Sequence, residues 1–393
     1  MENIVSKKCD YVKSPGIYIH IPFCVSKCRY CDFYSEKYSK EKMDLFIECL
    51  KKEITFYAKI LPSLKIKTIY FGGGTPSLLA PYHVQEILDY IYEKFSPPIS
   101  GEITLEANPD SLTEERIAAY NTAGISRLSL GVQSLRDEEL QFLGRLHDSD
   151  KAEEGIKKVK KYFDNYNIDL IYGLPGQRLE EFLYSLEWIL DYSPPHISIY
   201  NLQIESGTPL GEMLQKGALN RLSEGIEAKM FSRSINVLQK AGYKHYEISN
   251  FALPGYNSIH NQIYWKYQSY LGWGPSAHSF SGSSRFYNYN DFDKYCHLLT
   301  QAQLPVAEKR ELSRADLISE TMIMGLRLLT GISKKEFFER FSVKLRDIYS
   351  EQIDKLTAQG LLQVEKNKIF LTRKGIFLGN YVFQEFLLDN NDL

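Results

Sequence analysis

Neither sign of charge dominates this chain of 393 residues, in which 47 Lys and Arg face 49 Asp and Glu for a net charge of −2. That balance excludes a strong field drawing the chain onto nucleic acid or anionic lipid. Cysteine is scarce, six in all, too few for a secreted disulfide scaffold. No stretch approaches the roughly 18 unbroken apolar residues of a membrane span. The opening MENIVSKKCD lacks the apolar core of a signal peptide. Internal repeats and low-complexity tracts are missing as well. These absences leave a globular protein of two or three domains, expected in the reducing cytoplasm without a transmembrane segment.

Three of the cysteines fall together. Cys24, Cys28 and Cys31 lie in HIPFCVSKCRYCDFYS, spaced Cys-x3-Cys-x2-Cys, with no fourth close behind. A four-iron cluster normally takes four thiolates, so three close ones imply a cluster with one iron open to another ligand. Tetrahedral zinc also wants four ligands, and His20, four residues before Cys24, is the obvious fourth. Unligated thiols are the third reading. Cys9, Cys49 and Cys296 carry no such spacing and read as buried or surface thiols.

Strand-like and helix-like segments alternate ahead of residue 242. Strands are predicted at 16–20, 67–71, 102–107, 127–133, 168–173 and 196–203. Helices follow at about 39–60, 82–95, 113–123, 137–163 (broken near His147), 179–192 and 223–241. Short apolar strands alternating with helices predict a parallel sheet with helices outside, in the α/β class. Six βα units fall short of the eight of a closed barrel, so a partial (β/α)6 TIM-like barrel is expected, with a doubly wound sheet as the rival.

The unusual residues sit at the C-terminal ends of those strands, where such sheets bind ligands. The cysteine loop follows strand one and GGGTP (72–76) follows strand two, while Glu106, Gln133, Asp169 and 201–203 close later strands. This clustering predicts one site. Gly72, Gly73 and Gly74 lack the spacing of a dinucleotide fold or a P-loop. They read as a plain turn, or as a surface without Cβ atoms whose free backbone groups suit a small zwitterion. Glu106 and Asp169 read as ordinary strand-end carboxylates or as partners of ribose hydroxyls or an ammonium group.

The motifs YIHIPFCVSKCRYC, FGGGTPS, LEANPDS, LSLGVQS, LGRLH, IDLIYGLPGQ and YEISNFALPG together resemble the radical S-adenosylmethionine (SAM) superfamily. Within it they resemble the coproporphyrinogen dehydrogenase-like group, from Gly16 to about Phe280. The resemblance implies that Cys24, Cys28 and Cys31 hold a 4Fe–4S cluster whose open iron is chelated by the methionine end of SAM. It places Tyr18 beside the cluster and Gly73, Gly74 and Thr75 at the methionine end. Glu106, Gln133, Arg145 and Asp169 would line SAM or a second ligand. The implied chemistry is one-electron reduction of the cluster by an electron donor, cleavage of SAM to a 5′-deoxyadenosyl radical, and hydrogen abstraction. The hard chemistry belongs to the cofactors.

Two branches of that group contend: an oxygen-independent coproporphyrinogen III dehydrogenase of heme synthesis, and a heme chaperone that passes heme to acceptor proteins. The dehydrogenase pattern has a further cysteine two residues after the third, where this chain has Phe33. It also carries an N-terminal extension, whereas 23 residues precede Cys24 here. HNQIYW (260–265) resembles the chaperone's heme motif, with His260 as a ligand and Tyr264 and Trp265 as flat apolar surface. All three favour the chaperone. Read alone, His260 is as well explained as a satisfied core histidine. His20, His147, His245 and His278 are alternative ligands. Peripheral membrane contact is compatible with respiratory acceptors.

The domain division is expected at 289/290, with residues 1–289 forming the radical SAM domain and 290–393 a second one. Helices at 313–329, 333–341 and 347–359, a hairpin around Lys366 and Asn367, and a last helical stretch resemble a small α+β winged-helix domain. Its lack of basic excess argues for protein docking or a lid over DNA binding.

Overall fold

A computed structural model describes residues 14–95 and 101–389. Cys9 lies outside the described residues. The six expected strands form and run parallel: β1 (Gly16–Ile21), β2 (Thr68–Gly73), β3 (Ile103–Ala107), β4 (Arg127–Gln133), β5 (Tyr166–Tyr172) and β6 (His196–Asn201). Each neighbours the next in sequence, with helices between them, as βα units dictate. The barrel does not close.

Beyond β6 the sheet turns antiparallel, through β7 (Lys244–His245) and β8 (Asn250–Ala252). Beyond β1 it continues through β9 (Tyr270–Trp273), parallel to β1, and then antiparallel through β10 (His278–Phe280), β11 (Ser284–Asn288) and β12 (Val306–Glu311). The resulting order is β12-β11-β10-β9-β1-β2-β3-β4-β5-β6-β8-β7.

The connecting helices bury the outward faces of the strands. The first, α1 (Lys40–Ile60), starts at Ser39, whose side chain accepts from the Lys42 N–H. The expected break near His147 is real: α4 (Asp137–Leu143) ends at Gly144 with φ of 76° before α5 (Ser149–Tyr162) begins at Asp148.

The second domain starts later than expected. Phe292, Tyr295, Cys296 and Leu299 belong to the barrel's core, and Val306–Glu311 pairs with β11. A separate core gathers Ile318, Met322, Phe337, Tyr349 and Ile369. Around it stand helices Arg314–Gly325, Lys334–Phe341 and Leu345–Ala358, and a small sheet ordered Ile332–Ser333, Lys368–Leu371, Leu362–Val364. That order of elements is winged-helix-like. No described helix is long and apolar enough to cross a membrane.

Candidate functional site

Inside the barrel the strands alternate by chemistry. Along β4, Leu128, Leu130 and Val132 pack in the apolar core, while Arg127, Ser129, Gly131 and Gln133 line a central cavity. On β5, Ile168 and Leu170 belong to the core and Asn167, Asp169 and Ile171 to the cavity. The period of two puts polar groups inward, which suits a hollow interior and not a packed one. The cavity holds about 580 Å³, within the range of small-molecule sites.

Cys24, Cys28 and Cys31 line its mouth, partly exposed. Gly73, Gly74, Thr75, Glu106, Gln133, Arg145 and Asp169 share the same cavity. Tyr18 does not line it. That ring stacks on Tyr70 at 6.2 Å, and its hydroxyl meets His20 Nδ1 at 3.1 Å.

The glycine turn supports the cysteine loop. The Gly74 N–H donates to Ile21 O at 2.8 Å and the Thr75 N–H to Phe23 O at 2.8 Å, so neither is free for a ligand. A Cβ on Gly74 would stand 2.6 Å from Phe23 O. The glycine lets the cysteine loop lie directly on the turn after β2.

Two of the sulfurs receive hydrogen bonds: Thr75 Oγ1 donates to Cys24 Sγ and Arg145 Nη1 to Cys28 Sγ, each at 3.4 Å. Arg145 is itself fixed, because Nη2 donates to Asn108 Oδ1 at 2.6 Å and to Gly131 O at 2.8 Å. Gly131 leaves room for that bond, since a Cβ there would stand 2.9 Å from Gln133 Nε2 and 3.2 Å from Asn108 Oδ1. Gln133 adopts φ of 69°, a strained backbone of the kind stored at functional sites.

No three described His, Cys, Asp or Glu side chains converge on one point as a single metal ion requires. His20 is buried, with Nε2 at 2.9 Å from Tyr34 O and Nδ1 on Tyr18, so it is no fourth zinc ligand in this conformation. A cluster asks for something else: thiolates spread around one opening, with donors on the sulfurs. The three cysteines line one opening, and two of their sulfurs carry such donors. Burial pushes the Cys31 thiol up to about 11, and a bound metal would stabilise its thiolate.

Deeper in, Glu106 accepts from the Tyr70 hydroxyl at 2.7 Å, and Asp169 accepts from Asn167 Nδ2 at 2.8 Å and Ser129 Oγ at 3.3 Å. Burial pushes Glu106 up to about 7 and also raises Asp169. Arg127, Asn167 and Ser198 were missed in the sequence, although polar residues alternating with apolar ones in RLSLGVQ and NIDLIYG signal a polar interior.

The HNQIYW motif is helical. It forms α9 (Ile259–Trp265), whose N-terminal N–H groups of Ile259 and His260 donate to the Glu102 carboxylate at 3.1 and 3.0 Å. His260 is 1% exposed, with Nδ1 at 2.7 Å from Thr68 Oγ1 and Nε2 at 2.8 Å from the Tyr264 hydroxyl. Burial pushes its imidazole down to about 3. His260 is therefore a satisfied core histidine here, and no open axial ligand. Tyr264 and Trp265 line a separate cavity of about 200 Å³ with Tyr270, Phe280 and Met324. It is Asn261, one residue on, that reaches the central cavity. Of the alternative ligands, His147 Nε2 meets Val132 O at 3.1 Å and His245 Nε2 meets Ile248 O at 3.0 Å, while exposed His278 stacks on Tyr287 at 4.9 Å.

An incomplete α/β barrel with three cysteines at its rim and a polar lumen defines the class of radical SAM proteins. The family model of the radical SAM superfamily matches residues 18–189, and that of the HemN C-terminal domain matches 312–378. The chain is 36% identical over 380 residues to the heme chaperone HemW of Lactococcus lactis subsp. lactis, covering 96% of this chain and 98% of the relative. It is 34% identical over 372 residues to the heme chaperone HemW of Bacillus subtilis, covering 94% and 98%. The mitochondrial radical S-adenosyl methionine domain-containing protein 1 of Mus musculus is 33% identical over 376 residues, with coverage of 92% and 84%. Among solved structures, coproporphyrinogen III oxidase (HemN) from Escherichia coli, a radical SAM enzyme, superposes with a TM-score of 0.83 at 22% identity, over 95% of this chain and 90% of that one. The chain belongs to the HemW family of radical SAM proteins.

Proposed function

We propose that the protein is a heme chaperone of the HemW type, which binds a 4Fe–4S cluster, SAM and heme and delivers heme to acceptor proteins such as respiratory enzymes. Phe33 carries the reading. It stands 60% exposed at the cavity mouth, where the dehydrogenase pattern has a cysteine. The names of the full-length relatives support the same assignment.

Cys24, Cys28 and Cys31 would hold the cluster, whose chemistry when bound is one-electron transfer. Arg145 and Thr75 orient two of the thiolates through their hydrogen bonds. Gln133, Glu106 and Asp169 offer amide and carboxylate groups to the amino and ribose groups of SAM, in a lumen that screens them from water. An electron donor would meet the cluster at the exposed loop around Val25 and Phe33. The site of action is the cytoplasm, with peripheral membrane contact where the acceptor is membrane-bound.

The second reading, an oxygen-independent coproporphyrinogen III dehydrogenase, is favoured by one observation, the deep polar lumen beneath the cysteine loop. Anaerobic heme titration of the cluster-loaded protein, followed by transfer to an apo-acceptor, separates the two. Saturable heme binding with transfer supports the chaperone. Loss of carboxylate from coproporphyrinogen III in the presence of SAM and a reductant would overturn it.

A further inference from the structure

Arg127 opens β4 at the end of the barrel remote from the cysteines. Gln133 at the rim lies six steps further along the strand, roughly 20 Å at a rise of about 3.3 Å per residue. Its side chain is 1% exposed, yet it lines the central cavity. Among the described residues its Nε has no hydrogen-bond partner, and its one ion pair, to Glu102 Oε2, is long at 4.0 Å. That carboxylate is otherwise engaged, holding the N-terminus of α9 through Ile259, His260 and Ser258.

Among the described residues the Thr104 hydroxyl opposite Arg127 is also unpartnered, whereas Asn167 is satisfied. Asn167 donates to Ser129 and Asp169 and accepts from Ser198, and its Oδ1 lies 2.6 Å from His196 Nδ1. A buried guanidinium with spare donors is costly unless something completes it. Burial raises both Glu106 and Asp169, and the Arg127 charge opposes that rise at each of them.

We infer that Arg127 is the anchor for a ligand carboxylate carried on a short flexible arm, which on the proposed reading of this site is a propionate of a tetrapyrrole. A planar carboxylate matches the guanidinium fork. Asn261 and Tyr70 line the same lumen.

The test uses the full-length, cluster-loaded protein titrated anaerobically with heme, with coproporphyrin III, and with the methyl esters of both. The free acids are expected to bind about tenfold or more tighter than the esters, as for a hydrogen bond to a charged group. Arg127→Gln should bring acid and ester within about twofold by removing that bond, leaving ester affinity and cluster absorbance unchanged. Arg127→Lys should keep part of the preference. Equal affinity of acid and ester in the unaltered protein, a preference that survives in Arg127→Gln, or no saturable binding of either acid would overturn the inference. The unaltered protein decides the point even where a variant fails to fold. Binding of coproporphyrin III with the acid preference but without binding of heme would defeat the chaperone reading and sustain the Arg127 anchor.

Discussion

The Thr68 hydroxyl and the His260 imidazole share a hydrogen bond of 2.7 Å that ties the second barrel strand to the helix of the HNQIYW motif. With the Tyr264 hydroxyl at 2.8 Å on the other ring nitrogen, the imidazole acts as a rivet between sheet and helix. Its neighbour Asn261 faces the lumen. Two adjacent residues thus have different roles, and substitution separates them.

His260→Ala should destabilise the fold by about 2–5 kcal/mol, because it opens a cavity and leaves two hydroxyls without a partner. Asn261→Ala should cost under about 1 kcal/mol while weakening the binding of the lumen ligand. Denaturant unfolding and a heme titration of both variants check this. A heme spectrum that loses a histidine-ligand signature in His260→Ala would show that the helix opens to expose the ring.

Among the groups that give the fold a pH response is a buried carboxylate. Glu53 accepts from the Gly274 N–H at 2.8 Å, the Tyr295 hydroxyl at 2.7 Å and Asn288 Nδ2 at 2.7 Å, and burial pushes it from 4.5 up to about 7. The folded state therefore holds a proton that the unfolded chain has released. Its contribution is full below about pH 4.5 and is lost as pH rises through about 7, a change of a few kcal/mol at most. Melting temperature should fall across this window on that account, and Glu53→Gln should flatten the slope while lowering stability at acid pH.

Arg145 is placed to hold the cluster's sulfur environment. Arg145→Gln loses the donor to Cys28 and is expected to weaken iron retention about tenfold or more. Iron per chain after anaerobic reconstitution and a chelator challenge measures it. Unchanged far-UV circular dichroism would show that the loss is local.

The second domain grips the barrel through cations on aromatic rings. Arg327 lies 4.4 Å from the Trp265 ring centroid, and Arg340 lies 4.8 Å from that of Tyr267 while donating to Tyr267 O at 3.1 Å. Replacing both with Ala should cost roughly 1–3 kcal/mol of docking. Hydrogen exchange should rise in residues 259–270 and stay slow in the β1–β6 strands.

Much of this architecture was legible in the sequence, because six apolar strands alternating with helices leave little choice of topology. The extension of the sheet on both flanks was not. Its strands are short, such as Asn250–Ala252 and His278–Phe280, and carry too few residues for a period to show. The rim residues Gln133, Arg145 and Asp169 came through their motifs. Arg127 did not, since a lone arginine opening a strand reads as an end in water, and only the register placing it opposite Thr104 reveals it inside. His260 shows the converse. Its motif was visible, but which way a side chain turns on a short helix depends on Thr68, 192 positions away.

The helix that carries Asn261 belongs to a different stretch of chain from the cysteine loop, and it rests on the starts of the second and third strands through Thr68 and Glu102. Such a division frees the two parts to vary at different rates. Changes in α9 and the domain docked on it can alter what the lumen admits without moving the thiolates. The lumen can in this way be retuned from its floor while its rim stays fixed.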